Sequence, residues 1–331
     1  MDLDAYSAAH REEWDRLAQL GKTSRFSGNE ADELIERYQA GASNLSAIKT
    51  TVGSSIQGDR LSISLSRARL RFTGASSNLL TQLSQFFGNQ LPAALFRIRW
   101  LVVANALVFV IVTAAYGFWL NANPHLLLNF GSPAQLHHYA QSEFVGYYSA
   151  HPNAAFGAQV WTNNAWIAAQ CIALGITGVW PAYMVFGNAQ STGVSAAIMG
   201  QYGRIDHFFL YIAPHGQLEL YSIFTAASAG MLIFWAWVAP GARTRSQALA
   251  ENGRAFFTIV IGLILSLAVS GFIEGFVTRQ PWPWWIKIGI GTVALAGFLA
   301  YQWVLGRRAH RGGETGDLSE MDAGARSITA G

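Results

Sequence analysis

A series of long apolar segments, beginning near residue 100, is the feature that most constrains how this chain can fold. A helix needs about 20 apolar residues to cross the hydrocarbon core of a bilayer. Segments of that kind lie at about residues 100–120, 156–180, 181–200, 208–238, 255–277 and 284–305. We therefore expect an all-α, polytopic membrane protein with about six transmembrane helices. The lipid bilayer is then one of its binding partners.

The number of spans depends on residues 154–200, which could form one long tilted span or two spans broken at Trp180–Pro181. Basic residues are enriched on the cytoplasmic side of membrane proteins. In this chain they precede the first and fifth spans and follow the last, at Arg97, Arg99, Arg243, Arg245, Arg254, Arg307, Arg308 and Arg311, whereas residues 121–153 contain no Lys or Arg. Two spans within residues 154–200 put all the basic groups on one side. We therefore predict six spans in the cytoplasmic membrane, with both termini in the cytosol.

The regions outside the spans differ in composition from the bundle. Residues 1–95 are polar to amphipathic and are predicted to form a cytosolic or interfacial helical region, with Ser27 or Asn29 capping its second helix. Residues 96–306 would form the membrane bundle, and residues 307–331 a disordered cytosolic tail. The opening residues lack the basic and apolar regions of a secretory signal, so we expect insertion to use the internal spans.

Composition and motifs disfavour several functional classes. The formal net charge is only +3, and the basic residues cluster at apparent span edges, which indicates membrane topology rather than nucleic-acid binding. A single cysteine, Cys171, excludes an internal disulfide and a CxxC site. The sequence contains no Walker loop, GxSxG elbow or dinucleotide fingerprint, so we expect no cofactor and no enzymatic activity.

Polar side chains inside the predicted spans are the candidate functional residues, because such side chains are costly in lipid and usually face a bundle interior or a cavity. In the second span Asn163 shares a stripe at helical spacing with Gln159, Trp166 and Gln170, and Asn164 lies beside that stripe. The polar network that we predict inside the membrane consists of Asn163, Asn164, Asn188, His215, Glu219 and Glu274.

The fourth and fifth spans carry matching faces. Each has a polar end and a seam of small residues that permits close helix contact: His215, Glu219, Ser222, Ala226 and Gly230 on one, and Gly262, Ser266, Ser270 and Glu274 on the other. Proline is tolerated in a first helical turn, so we expect the fourth helix to begin at Pro214. His215, Glu219 and Glu274 would then lie at a similar depth near the outer edge of the membrane.

Three interpretations of this cluster stay open. The polar groups could satisfy one another and fix the helix packing, line a transport or proton path, or bind metal in a hydrolytic site. HGQLE is not the HExxH motif of zinc proteases, which weighs against the third, and we expect no metal. The outer-loop residues match no standard metal-site spacing and are expected to be ordinary solvated residues: His125, His137, His138, Glu143 and His151.

Three segments carry a resemblance to a known family: WTNNAWIAAQCIALGITGVWPAYMVFGNAQSTGV, APHGQLELYSIFTAASAG and SGFIEGFV, in this order. Together they resemble the stage II sporulation protein M family of bacterial membrane proteins, over roughly residues 100–305. LIERYQAGASNLSAIKT is also similar to the N-terminal region of the longer, actinobacterial-type members. The resemblance implies a helical polytopic protein of the cytoplasmic membrane without an established enzymatic activity.

Family resemblance also implies partners. The best-known member is implied to anchor a peptidoglycan-degrading complex during engulfment of the forespore. Longer relatives are associated with an RDD-type membrane protein, a MoxR-like ATPase and a von Willebrand-like domain protein, which implies an envelope-linked assembly. Our leading hypothesis is a non-enzymatic scaffold or assembly factor of the cell envelope, for which a homodimer is compatible with the glycine-rich faces. A transporter or channel is the alternative, followed by a metal-dependent membrane enzyme.

Overall fold

The computed structural model describes residues 3–23, 26–53, 55–72, 79–148 and 152–316. Within those ranges the chain is helical and contains no β-strand, in agreement with the predicted all-α class. It divides into two compact units, Met1–Leu83 and Ser84–Gly331. The boundary that we predicted at residue 95 lies inside the helix Leu91–Arg97, which packs within the second unit.

Three helices form the first unit: α1 (Leu3–Leu20), α2 (Gly28–Thr51) and α3 (Ile56–Phe72). Ser27 caps α2 in a capping box with Glu30, which satisfies two backbone N–H groups at the helix start and confirms the predicted cap. The three helices share an apolar core of their own, made by Leu17, Leu20, Leu34, Ile48, Leu61, Leu65 and Ala68. This unit therefore has the burial pattern of a small separate domain.

An ion-pair cluster on the first unit predicts a pH dependence. Arg16 and Arg37 both bond the Glu33 carboxylate, at 2.7 and 3.2 Å, and the Arg16 hydrogen bond lowers the pKa of Glu33 from 4.5 to about 2. The stabilisation by Glu33 is thus complete above pH 4.5 and is lost as the pH falls toward 2. We expect the amide protection factors of α1 and α2 in the full chain, corrected for the intrinsic exchange rate at each pH, to fall over that range, and Glu33→Gln to remove this pH dependence. Glu36→Gln, on the same helix, is the matched control and should leave it unchanged.

The rest of the described chain contains eleven further α-helices: α4 (Leu79–Gln85), α5 (Leu91–Arg97), α6 (Arg99–Ala122), α7 (Pro133–His138), α8 (Phe144–Tyr147), α9 (Asn153–Ala173), α10 (Val179–Gln201), α11 (Ile205–Val238), α12 (Arg245–Ile273), α13 (Trp284–Ala300) and α14 (Gly306–Arg311). Four π-helical turns interrupt or extend them, at Phe86–Gln90, Tyr139–Glu143, Glu274–Thr278 and Tyr301–Leu305. Short 3₁₀ segments lie at Pro124–Asn129 and Gly175–Thr177.

Four helical segments in the described residues are long and apolar enough to cross a membrane: Arg99–Ala122, Ile205–Val238, Arg245–Thr278 and Trp284–Arg311. They coincide with four of the six predicted spans. The other two predicted spans correspond to α9 and α10, which are 21 and 23 residues long. Their asparagine and glutamine side chains lower their mean hydropathy relative to the other four.

The second unit is organised around α11, which contacts α6, α9, α10, α12 and α13. A run of small side chains makes this possible, because residues 222–230 of α11 are all buried and include three alanines, two serines, a threonine and a glycine. The predicted outer loop is itself folded. Its aromatic and leucine side chains pack onto the start of α9, the end of α10 and the start of α11 through residues that include Leu127, Leu136, Phe144 and Tyr148.

Helix α9 packs against α12 through glycine contacts. A β-carbon on Gly157 would lie 2.7 Å from the Gly271 carbonyl oxygen, and one on Gly271 would lie 2.8 Å from the Gly157 carbonyl oxygen. The two backbones thus approach each other as in other small-residue helix crossings. This close approach brings Asn164 of α9 toward the α11–α12 interface.

Three predicted boundaries need correction. Helix α11 begins at Ile205, so Pro214 lies inside it and not in its first turn. The break between α9 and α10 is made by Gly178, whose φ of +67° lies in the left-handed region, while Pro181 sits in the first turn of α10, where a missing N–H is harmless. Helix α14 continues to Arg311 within the predicted disordered tail, and residues 317–331 of that tail lie outside the described residues.

Candidate functional site

His215, Glu219 and Glu274 converge at one point between α11 and the end of α12. His215 and Glu219 are one turn apart on α11, and Glu274 opens the π-helical turn Glu274–Thr278. One ligand-type atom from each residue lies within 4.8 Å of the others. His215 Nε2 and Glu274 Oε1 are 3.6 Å apart. The structure thus brings together the three ionisable residues that the sequence placed on facing helices.

Burial makes this cluster energetically demanding. His215 is 5% exposed and Glu274 is 3% exposed, while Glu219 is half-buried. Glu274 Oε2 is fully buried and has no hydrogen-bond partner among the residues that the structure describes. A buried carboxylate oxygen without a partner costs free energy, because its interaction with water is not replaced. The burial of Glu274 therefore implies that a proton or a cation compensates the cost of its unpartnered oxygen.

The π-helical turn orients the His215 ring. Thr278 Oγ1 lies 3.2 Å from His215 Nδ1, and the Thr278 hydroxyl donates to the Ile273 carbonyl at 3.4 Å. Because that hydroxyl proton is used on Ile273, the Thr278 oxygen accepts a hydrogen bond from Nδ1–H of the ring. Nε2 then carries the lone pair and faces Glu274 Oε1 at 3.6 Å, beyond hydrogen-bond distance, while Thr278 orients the ring through Nδ1.

Two further side chains position Glu219. The Ser270 hydroxyl lies 3.4 Å from Glu219 Oε2 and 3.1 Å from the His215 carbonyl oxygen, so it links both residues of α11 to α12. The buried Asn164 amide of α9 also hydrogen-bonds the Glu219 carboxylate. Two helices, α9 and α12, thus contribute polar groups to a carboxylate that α11 carries.

Tyr148, Lys287 and Thr278 belong to this site, although the sequence did not single them out. The Tyr148 ring lies 6.0 Å from the His215 ring and 5.0 Å from that of Tyr211. The buried Lys287 ammonium donates to the Thr278 carbonyl at 3.0 Å and sits 5.4 Å above the Tyr211 ring. Lys287 carried a usable signal, since it is a single charge inside the apolar run WWIKIGIG.

Tyr148 closes the outer side of the cluster. It follows α8 and lies outside the four helical segments that are long and apolar enough to cross a membrane. Burial, with the nearby Glu274 and Glu219 carboxylates adding to it, raises the pKa of the Tyr148 phenol well above its usual range. Tyr148 is accordingly a neutral phenol beside the imidazole at any physiological pH.

Two of the predicted network residues lie elsewhere. Asn163 is exposed on the outer face of α9, together with Gln159 and Trp166, so the predicted stripe points away from the cluster. The residues of the predicted stripe do share one face of α9, but the buried face of that helix is the neighbouring one, which carries Asn164. Asn188 bonds within its own helix, donating to the Met184 carbonyl at 2.8 Å and accepting from Thr192 through its backbone carbonyl.

The outer-loop histidines do not join the cluster. His138 Nε2 lies 3.4 Å from Glu143 Oε1, and both side chains are well exposed. His137 packs edge-on against the Tyr202 ring. His125 is also exposed, and His151 lies outside the described residues. An exposed His–Glu pair is therefore available for comparison with the buried one.

The central group of one imidazole and two carboxylates can hold either a proton or a cation between α11 and α12. Carboxylate and imidazole are both metal ligands, and both can bind a proton. The serine among the side chains described above, Ser270, donates its hydroxyl proton to the His215 carbonyl oxygen. That hydroxyl is therefore not arranged as a nucleophile activated by the His215 ring.

Comparisons with known proteins give two family matches. A family model described as Stage II sporulation protein M matches residues 106–279, which include every member of the cluster. A second model, Domain of unknown function (DUF8413), matches residues 4–74 and so covers the three-helix unit. No curated protein and no solved structure gave a significant match.

Proposed function

Because the chain belongs to the stage II sporulation protein M family, and is a membrane protein of that type, we propose that it is a non-enzymatic scaffold or assembly factor of the bacterial cell envelope. The observation that carries the proposal is the modular construction. A three-helix unit with its own core precedes a membrane bundle, and each part matches a different family model. In this role the bundle anchors the chain and the three-helix unit docks a partner.

We further propose that six helices cross the cytoplasmic membrane. Helices α9 and α10, at about 1.5 Å per residue, are roughly 31 and 34 Å long, which matches a hydrocarbon core of about 30 Å. A three-residue 3₁₀ turn joins them, and α10 packs along α6. Six crossings put Arg97, Arg243 and Arg254 on the cytosolic side together with both termini.

The surface of the three-helix unit favours a charged partner. A cleft of about 690 Å³ between α1 and α2 is lined by both signs of charge: Arg11, Glu12, Asp15, Arg16, Glu33 and Arg37. A second cleft of about 440 Å³, between α2 and α3, includes Lys49 and Arg69. Charged clefts give specificity and orientation in protein association more than raw affinity. The RDD-type membrane protein, the MoxR-like ATPase, the von Willebrand-like protein and a second copy of the chain are the partners that we propose to test.

Cross-linking tests the scaffold role. The chain is tagged and kept at its native level, cross-linked mildly and purified, and its partners are identified by mass spectrometry. We expect a stoichiometric partner with the full chain and at least a tenfold lower yield after deletion of residues 1–83 or after the charge reversal Arg11→Glu with Asp15→Arg. Such a loss corresponds to about 1.4 kcal/mol of binding free energy.

Arg60→Glu is the matched control, because Arg60 is an exposed residue of α3 outside both clefts. It should retain the partner. Recovery of the chain alone in every sample would contradict the scaffold proposal.

A transporter or channel is the second candidate function, favoured by one observation: ionisable groups from α11 and α12 meet inside the bundle, and Glu219 is only half-buried. Proteoliposomes distinguish the two functions. A scaffold is expected to give no proton or solute flux above that of empty vesicles. A flux that is abolished by Glu219→Gln, in a variant that folds normally, would replace the scaffold with a transporter.

A further inference from the structure

We propose that His215, Glu219 and Glu274 bind one divalent transition-metal ion of the zinc class, through His215 Nε2 and one oxygen from each carboxylate. The proposal does not depend on the scaffold role, and either could fail without the other. It rests on the positions of the three ligand atoms, on an unpartnered buried oxygen and on the side chains that orient the ligands.

The spacing of the ligand atoms fits a metal ion. Ligands at about 2.0–2.2 Å from a tetrahedral zinc ion lie roughly 3.3–3.5 Å from one another. His215 Nε2 and Glu274 Oε1 are 3.6 Å apart, and all three ligand atoms lie within 4.8 Å. The Glu219 carboxylate can close the remaining distance by side-chain rotation, because it is held only by Ser270 at 3.4 Å and by Asn164.

The charges of the cluster suit a bound cation. Two carboxylates at this depth repel each other and lose their hydration, and a dication compensates both costs. Glu274 Oε2, which lacks a hydrogen-bond partner among the described residues, belongs to the same carboxylate whose Oε1 lies 3.6 Å from His215 Nε2. The nearest buried ammonium, that of Lys287, donates to the Thr278 carbonyl oxygen.

The surrounding side chains form the supporting shell that metal sites require. A metal-ligating histidine usually donates its second ring N–H to a fixed acceptor, as Nδ1 does here to Thr278. Ser270, at 3.4 Å, and Asn164 are hydrogen-bond partners of the Glu219 carboxylate. An imidazole ligand favours zinc and its transition-metal neighbours over calcium and magnesium, which bind through oxygen.

Direct metal binding tests this proposal on the full chain in detergent, purified with a tag that contains no histidine. The protein is stripped with a chelator and titrated with zinc against a chromophoric competitor, and bound metal is counted by elemental analysis. We expect one zinc per chain. His215→Ala and Glu274→Gln should each raise the zinc Kd by roughly 100-fold or more, and Thr278→Val by about tenfold, as for loss of an orienting group.

His138→Ala is the matched control, because His138 pairs with Glu143 at a similar distance on the exposed surface. It should leave the zinc stoichiometry and the Kd unchanged. Thr278→Val and Glu219→Gln keep the test informative if His215→Ala does not fold, since both retain size and shape. The proposal is overturned by substoichiometric zinc in the wild-type chain, or by zinc binding that folded cluster variants retain and His138→Ala removes.

Discussion

Gly291→Ala is expected to abolish most of the folded, monodisperse protein. The α13 backbone at Gly291 runs against the Pro214 carbonyl of α11, so an added β-carbon would overlap the carbonyl oxygen and lie 2.7 Å from its carbon. Both groups are main-chain atoms and cannot rotate away. Overpacking of this kind costs about 1–3 kcal/mol, and more where backbone must shift. The same contact positions α11 immediately before His215, so the cluster geometry should be lost as well.

Gly289→Ala is the matched control for this prediction. Gly289 lies on the same helix, and a β-carbon there would meet nothing within 4 Å. Alanine in a helix interior is favoured over glycine by about 0.5–1 kcal/mol, so this variant should be at least as stable as the wild type. The measurement is the monodisperse fraction in size-exclusion chromatography before and after graded heating. Equal losses for both variants would contradict the close α11–α13 contact.

Gln302→Leu is expected to cause the second largest loss, about 1–3 kcal/mol for the buried groups that it leaves unpaired. Gln302 is fully buried in the π-helical turn Tyr301–Leu305. Its side chain accepts from the Tyr221 hydroxyl at 2.5 Å and donates to the Leu95 carbonyl at 2.8 Å, so it ties α13 to α11 and α5. Leucine fills the space but satisfies neither group.

The double variant Gln302→Leu with Tyr221→Phe separates this explanation from simple loss of packing. Removing both partners leaves no hydroxyl unsatisfied, so the double variant should recover part of the stability that the single variant loses. Thermal unfolding of all three variants in one detergent measures the coupling. If the two substitutions are additive, the Tyr221–Gln302 hydrogen bond contributes nothing and the prediction fails.

Hydropathy and helical periodicity predicted much of this molecule. The all-α class, the apolar segments that became α6, α11, α12 and α13, and the Ser27 cap all follow from local rules. The meeting of His215 and Glu219 with Glu274 followed from periodicity on two helices of opposite direction. These features depend on one helix or one pair of facing helices, which is the range over which sequence spacing carries information.

The misses involve choices that spacing alone cannot make. Asn163 and Asn164 are neighbours of the same type, so only the tertiary contacts of α9 decide which one faces inward. A proline such as Pro214 can occupy the first turn of a helix, and it can also lie in a helix interior at the cost of one backbone hydrogen bond. In this structure the chain is helical on both sides of Pro214. Tyr148 reaches the cluster from a loop, at a distance that no periodic pattern describes.

The π-helical turn that begins at Glu274 gives the outer end of α12 a mechanical property that the rest of the helix lacks. A π turn contains one residue more than an α turn, and that extra residue can be passed along the helix. Each such step rotates the side chain that the π turn passes by about 100° around the helix axis. The glycine contact at Gly271 holds α12 on α9 just before this joint. A one-residue ratchet at the joint would therefore disengage Glu274 and Thr278 from His215 while leaving the remainder of the bundle in place.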